Sequence, residues 1–162
     1  MGSHTHHRHH QDHAGQKSLN RIAWSATLHC LTGCAIGEIL GMVIGTSFGW
    51  SDVATIAIAV ALAFVFGYAF TALPMLRTGL PFKKAAKLAL AADTASITVM
   101  EIVDNAIMLA IPGAMSAGPA SLLFWGSLAL ALAIAAVAAF PLNRWLIGRG
   151  LGHAVVHAHH GH

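Results

Sequence analysis

The side chains with the most chemistry form a row on one apolar segment. Cys30, Cys34, Glu38 and Met42 follow one another at intervals of four residues, so they share one face of a helix. Thiols, thioethers and imidazoles bind soft or borderline transition metals, whereas carboxylates bind harder ions. His29, one position ahead of the row, adds an imidazole. The pattern predicts a metal site; the alternative is that both cysteines are small buried apolar residues.

A second segment carries carboxylates that have no basic partner in the sequence. Asp93, Glu101, Asp104 and Asn105 all fall in a stretch that contains no Lys or Arg between residues 88 and 110. Glu101 precedes Asp104 by three positions and Asn105 by four, which places them on one helix face. An acid at the centre of a membrane-spanning helix costs about 2.5–3.5 kcal/mol. A bound cation or protons are therefore expected to balance these groups.

The two segments together supply the ligands of an entry site and an inner site, for which Cu or Zn is the favoured ion, although the carboxylates also suit Mn, Fe or Co. Equal distances along two parallel helices imply equal depth. On that basis we predict an inner level that holds His29, Cys30, Cys34 and Asp93. We predict a deeper level that holds Glu38, Glu101, Asp104 and Asn105.

Composition predicts that these segments cross a membrane. Of 162 residues, 56% are hydrophobic and 9% charged, and the mean hydropathy is +0.67. Four apolar stretches, at about 22–49, 53–74, 86–111 and 121–147, each reach the length of about 20 residues that a bilayer requires. The predicted fold class is all-α, an integral membrane four-helix bundle at residues 21–150.

The distribution of cations predicts the orientation. All nine Lys and Arg lie before the first stretch, around the connection between the second and third, or at the end of the fourth. The positive-inside rule then places both termini in the cytoplasm. Orientation accounts for the net charge of +3, so no nucleic-acid partner is expected. The expected partners are membrane lipid, a metal ion and further copies of the chain.

A glycine row accompanies the first polar row. Gly33, Gly37, Gly41, Gly45 and Gly49 recur every four residues. Small residues at this spacing let membrane helices approach closely. We expect this row to allow the first and third helices to meet.

Both ends of the chain are rich in histidine, at residues 1–20 and 151–162. Irregular histidine tracts bind transition metals loosely. We interpret the two segments as cytoplasmic tails that raise the local metal concentration. The alternative is a pair of solvated tails with weak affinity for anionic lipid head groups.

Three strings resemble an uncharacterised bacterial family of four-helix membrane proteins, a domain of unknown function with a His-Cys-Leu-Thr-Gly-Cys signature. They are His29-Cys-Leu-Thr-Gly-Cys-Ala-Ile-Gly-Glu38, Met100-Glu-Ile-Val-Asp-Asn105 and Phe140-Pro-Leu-Asn-Arg-Trp145. The resemblance covers about residues 17–150. It implies a fold and a membrane location, and it implies no activity.

The leading functional hypothesis is transition-metal binding or transport. One alternative is a redox or haem-binding membrane subunit that uses Cys30 and Cys34, or His29. Another is a non-catalytic assembly subunit whose acids and glycines hold helices together. The sequence contains no phosphate-binding loop and no nucleophile–base motif, so we expect no enzyme activity.

Overall fold

Four helices in sequence order make up the fold. The computed structural model describes residues 6–149, and it describes side chains from residue 16 onward, apart from that of Lys17. The helices are α1 (His6–Ser47), α2 (Asp52–Arg77), α3 (Phe82–Ala110) and α4 (Leu122–Gly148). Residues 6–149 contain no strand, so the predicted all-α class is confirmed.

The first helix is longer than the predicted span. It begins at His6, so much of the segment that we interpreted as an N-terminal tail continues the helix. Residues 6–21 contain no proline, and nothing in the backbone stops the helix where the apolar segment ends. Residues 1–5 and the predicted C-terminal tail lie outside the described residues.

Short connections make successive helices antiparallel. Residues 48–51 join α1 to α2, and residues 78–81 join α2 to α3. Gly49 and Gly79 adopt positive φ angles of 63° and 87° at these turns, a conformation that favours glycine. Helix α1 lies beside α2 and α4, and it faces α3 across the bundle. Because α1 and α3 are each antiparallel to α2, they run parallel to each other.

Three of the helices qualify as membrane spans by length and composition. They are Ser18–Ser47 within α1, the whole of α2 and the whole of α4. Helix α3 has 29 residues, about 43 Å at the helical rise, but it contains three lysines and three acids. The prediction of a membrane protein is confirmed on these three helices.

The bundle places apolar side chains outside and polar side chains inside. Leucine, valine and isoleucine residues lie exposed on the outer surface of every helix, including Leu40, Val65, Ile102 and Val137. The buried polar residues include Thr27, Glu38, Asp93, Glu101, Asp104 and Asn143. An exposed apolar surface of this extent is typical of contact with lipid.

The glycine row from Gly33 to Gly45 packs against α2, so the expectation that it faces α3 is wrong. Gly49, predicted as the last member of the row, lies instead in the turn that follows α1. A Cβ atom added at Gly33 would lie 2.6 Å from the Cα of Gly67. Gly37 and Gly41 lie equally close to Ala63 and Ala59 of α2. These partners are small and share the four-residue spacing, so the two backbones meet directly. This contact turns the next row of α1, which begins at Cys30, into the core.

Candidate functional site

Two parallel rows of side chains meet along the axis of the bundle. From α1 to α3, the buried neighbours are a thiol and a carboxyl, a second thiol and carboxyl, two carboxyls and two thioethers. We call this set the polar ladder. Its pairs are Cys30–Asp93, Cys34–Glu101, Glu38–Asp104 and Met42–Met108. Met108 follows Asp93 by 15 positions, which gives the ladder a length of about 22 Å.

The first pair lies nearest the end of the bundle that carries the lysines and arginines, which we call the basic end. The Cys30 thiol donates a hydrogen bond to Asp93 Oδ1, with an Sγ–O distance of 3.6 Å. Cys30 is 2% exposed and Asp93 is fully buried. The hydroxyl groups of Thr71 and Ser96 lie beside this pair. The predicted meeting of α1 and α3 at this depth is therefore a direct contact.

His29 points away from the ladder. It lies on the same face of α1 as the glycine row. Its ring packs edge-on against Phe70 of α2, with 5.7 Å between the ring centroids. It remains close enough to Asp93 for an electrostatic interaction. The half-buried imidazole therefore adjoins the first pair from the side of α2.

The second pair differs from the predicted levels. Cys34 was predicted at the inner level with Asp93. It lies instead beside Glu101 of the predicted deeper level. Neither carboxyl oxygen of Glu101 has a hydrogen-bond partner among the described residues. The Asn105 amide donates to the Glu101 backbone oxygen at 2.9 Å, so it leaves the carboxyl group unsatisfied. A buried carboxyl without hydrogen bonds is costly.

The third pair joins two carboxyl groups. Glu38 and Asp104 interact side chain to side chain, and each residue is only 2% exposed. Two carboxyl groups form a hydrogen bond only when one carries a proton. The remaining atoms, Glu38 Oε2 and Asp104 Oδ1, are buried and have no partner in the described part of the chain. The pair can therefore accept a further cation or proton.

The described part of the chain places no buried lysine or arginine along the ladder. Among the residues whose side chains the structure describes, every buried residue is of another type. Lysines and arginines lie toward the basic end of the bundle, as with Arg21, Arg77 and Lys87. Because an uncompensated buried charge is strongly unfavourable, the carboxyl groups of Glu38, Glu101 and Asp104 are expected to be neutral unless a cation balances them.

The ladder presents potential ligands in pairs. Across the described residues, no three His, Cys, Asp or Glu side chains are arranged to hold a metal ion. The structure does not bring His29, Cys30 and Cys34 to one point. A closed tetrahedral zinc site needs four such ligands. Any ion in the ladder would therefore need ligands of other types or a rearrangement of side chains.

Other ligand types occur at the end of the ladder opposite the basic end. A small cavity there, which we call the outer chamber, lies beside the third pair. Its lining includes Glu38, Asp104, Asn105, Met42, Met108 and Met115. Met115 lies in the α3–α4 connection, and sequence reasoning missed it because helical periodicity gives no information about loops. The chamber combines carboxyl, amide and thioether groups in one place.

The chain belongs to the family DUF4396, a domain of unknown function, whose family profile matches residues 20–152. The predicted resemblance to an uncharacterised family is thereby confirmed. No curated protein and no solved structure matches the chain. The family lends no activity to the ladder, so function has to be argued from the residues.

Proposed function

We propose that this protein binds a transition-metal ion inside the membrane at the Glu38–Asp104 pair and exchanges it for protons. The observation that supports this proposal most strongly is the charge balance of the core. Several oxygens of the buried carboxyl groups have no hydrogen-bond partner among the described residues. The described residues also include no buried Lys or Arg that could neutralise them. Intramembrane acids of this kind mark ion or proton pathways in membrane proteins.

Helix α3 completes the membrane domain as a fourth span. Its acids Asp93, Glu101 and Asp104 face the core, while Leu90 and Leu109 lie exposed on its outer surface. The cost that excludes an acidic helix from lipid therefore does not arise. With four spans, the positive-inside rule places both termini on the cytoplasmic side of the bacterial inner membrane.

The ladder offers such an ion several successive binding positions. Two thiol–carboxyl pairs at the basic end are followed by a carboxyl pair and then by thioethers, so an ion would meet mixed, then hard, then soft ligands along about 22 Å. Transport along this row is the form of the function that we favour over storage. The ion is Cu or Zn on the basis of ligand type, and a homo-oligomer remains the expected assembly.

Metal content tests the proposal. We expect purified full-length protein to retain about one ion per chain after washing with a weak chelator, and Glu38→Gln to lose it. Gln keeps the shape of Glu and removes the charge on which cation binding depends. Mass spectrometry of the metal in both proteins measures the difference, and the histidine-rich ends contribute equally to each.

The matched control is Ser127→Ala. Ser127 is also buried, but its hydroxyl donates only to backbone oxygens of α4, at 2.6 and 3.1 Å. We expect this variant to keep the ion. Equal metal content in wild type, Glu38→Gln and Ser127→Ala would refute intramembrane binding.

The redox alternative has one supporting observation. Cys30 and Cys34 are both free, buried thiols one helical turn apart. An absorbance spectrum of the same purified protein tests for haem, and thiol titration before and after mild oxidation tests for cycling. The proposal for metal binding predicts no haem band and two titratable thiols in unfolded protein.

A further inference from the structure

The outer chamber gathers three of the six methionines of the chain. Met42 comes from α1, Met108 from α3 and Met115 from the connection that follows α3. Met42 and Met108 are 4% and 2% exposed. Methionines are common fillers of irregular cores, so their number alone does not indicate a site.

The chamber differs from an ordinary core gap in its charged lining. Glu38 Oε2 and Asp104 Oδ1 are buried without hydrogen-bond partners among the described residues, and both residues line the chamber. Two unsatisfied carboxyl oxygens would be unfavourable in an ordinary apolar gap of the core, because their burial is costly. These oxygens indicate that the chamber receives a positively charged group.

The size of the chamber fits a single small occupant. The volume open to the centre of a water-sized sphere is about 10 Å³, which is roughly the minimum for one water molecule. A bare metal ion fits such a space, whereas an organic cation does not.

We propose that Met42, Met108 and Met115 form a thioether site for a soft monovalent cation, Cu(I), with the Glu38–Asp104 pair supplying the negative charge. Thioether sulfur selects Cu(I) among biological metals. Exchange of one carboxyl proton of the pair for one monovalent ion leaves the net charge of the chamber unchanged. This inference rests on the proposed function and names the ion for it.

A second cavity shares part of its lining with the outer chamber, and we infer that an ion reaches the site from it. It has a volume of about 160 Å³, and its lining includes Asp52 and Ser116 as well as Met108 and Met115. The same two methionines therefore face both cavities. Asp52 is exposed, so a carboxylate marks the surface of this route. Thioethers at the boundary would pass a soft ion and offer little to Na⁺ or Mg²⁺.

Methyl NMR of the full-length protein in detergent tests the inference directly. With ¹³C-methyl methionine, each signal is assigned by a single Met→Leu substitution, a volume-conserving change that cores tolerate. Ag⁺ is the probe, since it is a soft monovalent ion that needs no reductant. We expect the methyl signals of Met42, Met108 and Met115 to shift on addition of Ag⁺, and that of Met75 to stay in place.

Binding measurements add a matched comparison. We expect the triple change Met42→Leu, Met108→Leu and Met115→Leu to lower Ag⁺ affinity at least about tenfold. Met75→Leu is the control, because Met75 is 2% exposed and belongs to the end of α2 near Arg77. The histidine-rich ends are the same in both variants, so their Ag⁺ binding cancels.

The outcomes separate this inference from the proposed function. If the three methyl signals do not move and the triple variant binds Ag⁺ like Met75→Leu, the thioether site is wrong. Loss of metal in Glu38→Gln would then still support the proposed function. If the methyl signals shift but Glu38→Gln keeps all its metal, the thioether site stands and the carboxyl-based function fails.

Discussion

Replacing Gly37 with leucine is expected to separate α1 from α2 and to destabilise the fold by about 3 kcal/mol, the upper end of typical overpacking costs. The backbone of Ala63 occupies the space that any Cβ at this position needs. A backbone cannot rotate aside as a flexible side chain does, so one helix has to move. The measurement is the unfolding curve of purified protein in a denaturing detergent.

Gly126→Leu provides the control for this change. Gly126 lies on α4 with no atom within 4 Å of an added Cβ among the described residues, so the same side chain projects into free space. We expect its unfolding curve to match that of wild type. If Gly37→Leu is as stable as Gly126→Leu, the close contact between the glycine row and α2 is wrong.

The second large effect concerns the Glu38–Asp104 pair as a unit. Glu38→Gln and Asp104→Asn are each expected to weaken metal binding at least about tenfold, equivalent to about 1.4 kcal/mol. Because each carboxyl group depends on the other for its proton and for the bound charge, the double change should cost little more than either single one. The resulting coupling energy is expected to be about 1–3 kcal/mol.

A more distant pair supplies the comparison for this cycle. Cys30 contacts Asp93 and lies two pairs away from Asp104 along the ladder. Cys30→Ser and Asp104→Asn should therefore add within about 0.5 kcal/mol. Binding curves for all variants, measured with one metal and one detergent, give both coupling energies. Additive costs at Glu38 and Asp104 would contradict a shared site.

Much of the fold was predictable because the forces that shape it act locally in sequence. Long apolar segments determine four helices, although the four-residue spacing wrongly placed Gly49 on the first helix rather than in the turn that follows it. The extension of α1 to His6 was missed, because hydropathy marks where a segment leaves lipid and not where its helix ends. The partner of the glycine row was also missed, since the row indicates close packing without naming the neighbouring helix.

The candidate site was predictable as two rows but not as pairs. Spacing places Cys30 and Glu38 on one face of α1, and Asp104 on the polar face of α3. The pairing of Cys34 with Glu101 depends on the register between two helices that are not adjacent in sequence. Met115 lies in a loop whose position depends on how α3 and α4 pack. Such long-range geometry leaves no periodic signal in the chain.

Proton release on metal binding tests the central claim most directly, because a metal ion that replaces protons at carboxyl groups must expel them. The measurement adds Ag⁺ or Zn²⁺ to weakly buffered full-length protein and follows a pH-indicator dye. Subtracting the proton release of the Glu38→Gln/Asp104→Asn variant from that of wild type removes the contribution of the histidine-rich ends. Our account predicts that about one proton per chain remains in this difference. A difference of zero for both ions would contradict metal–proton exchange at the carboxyl pair.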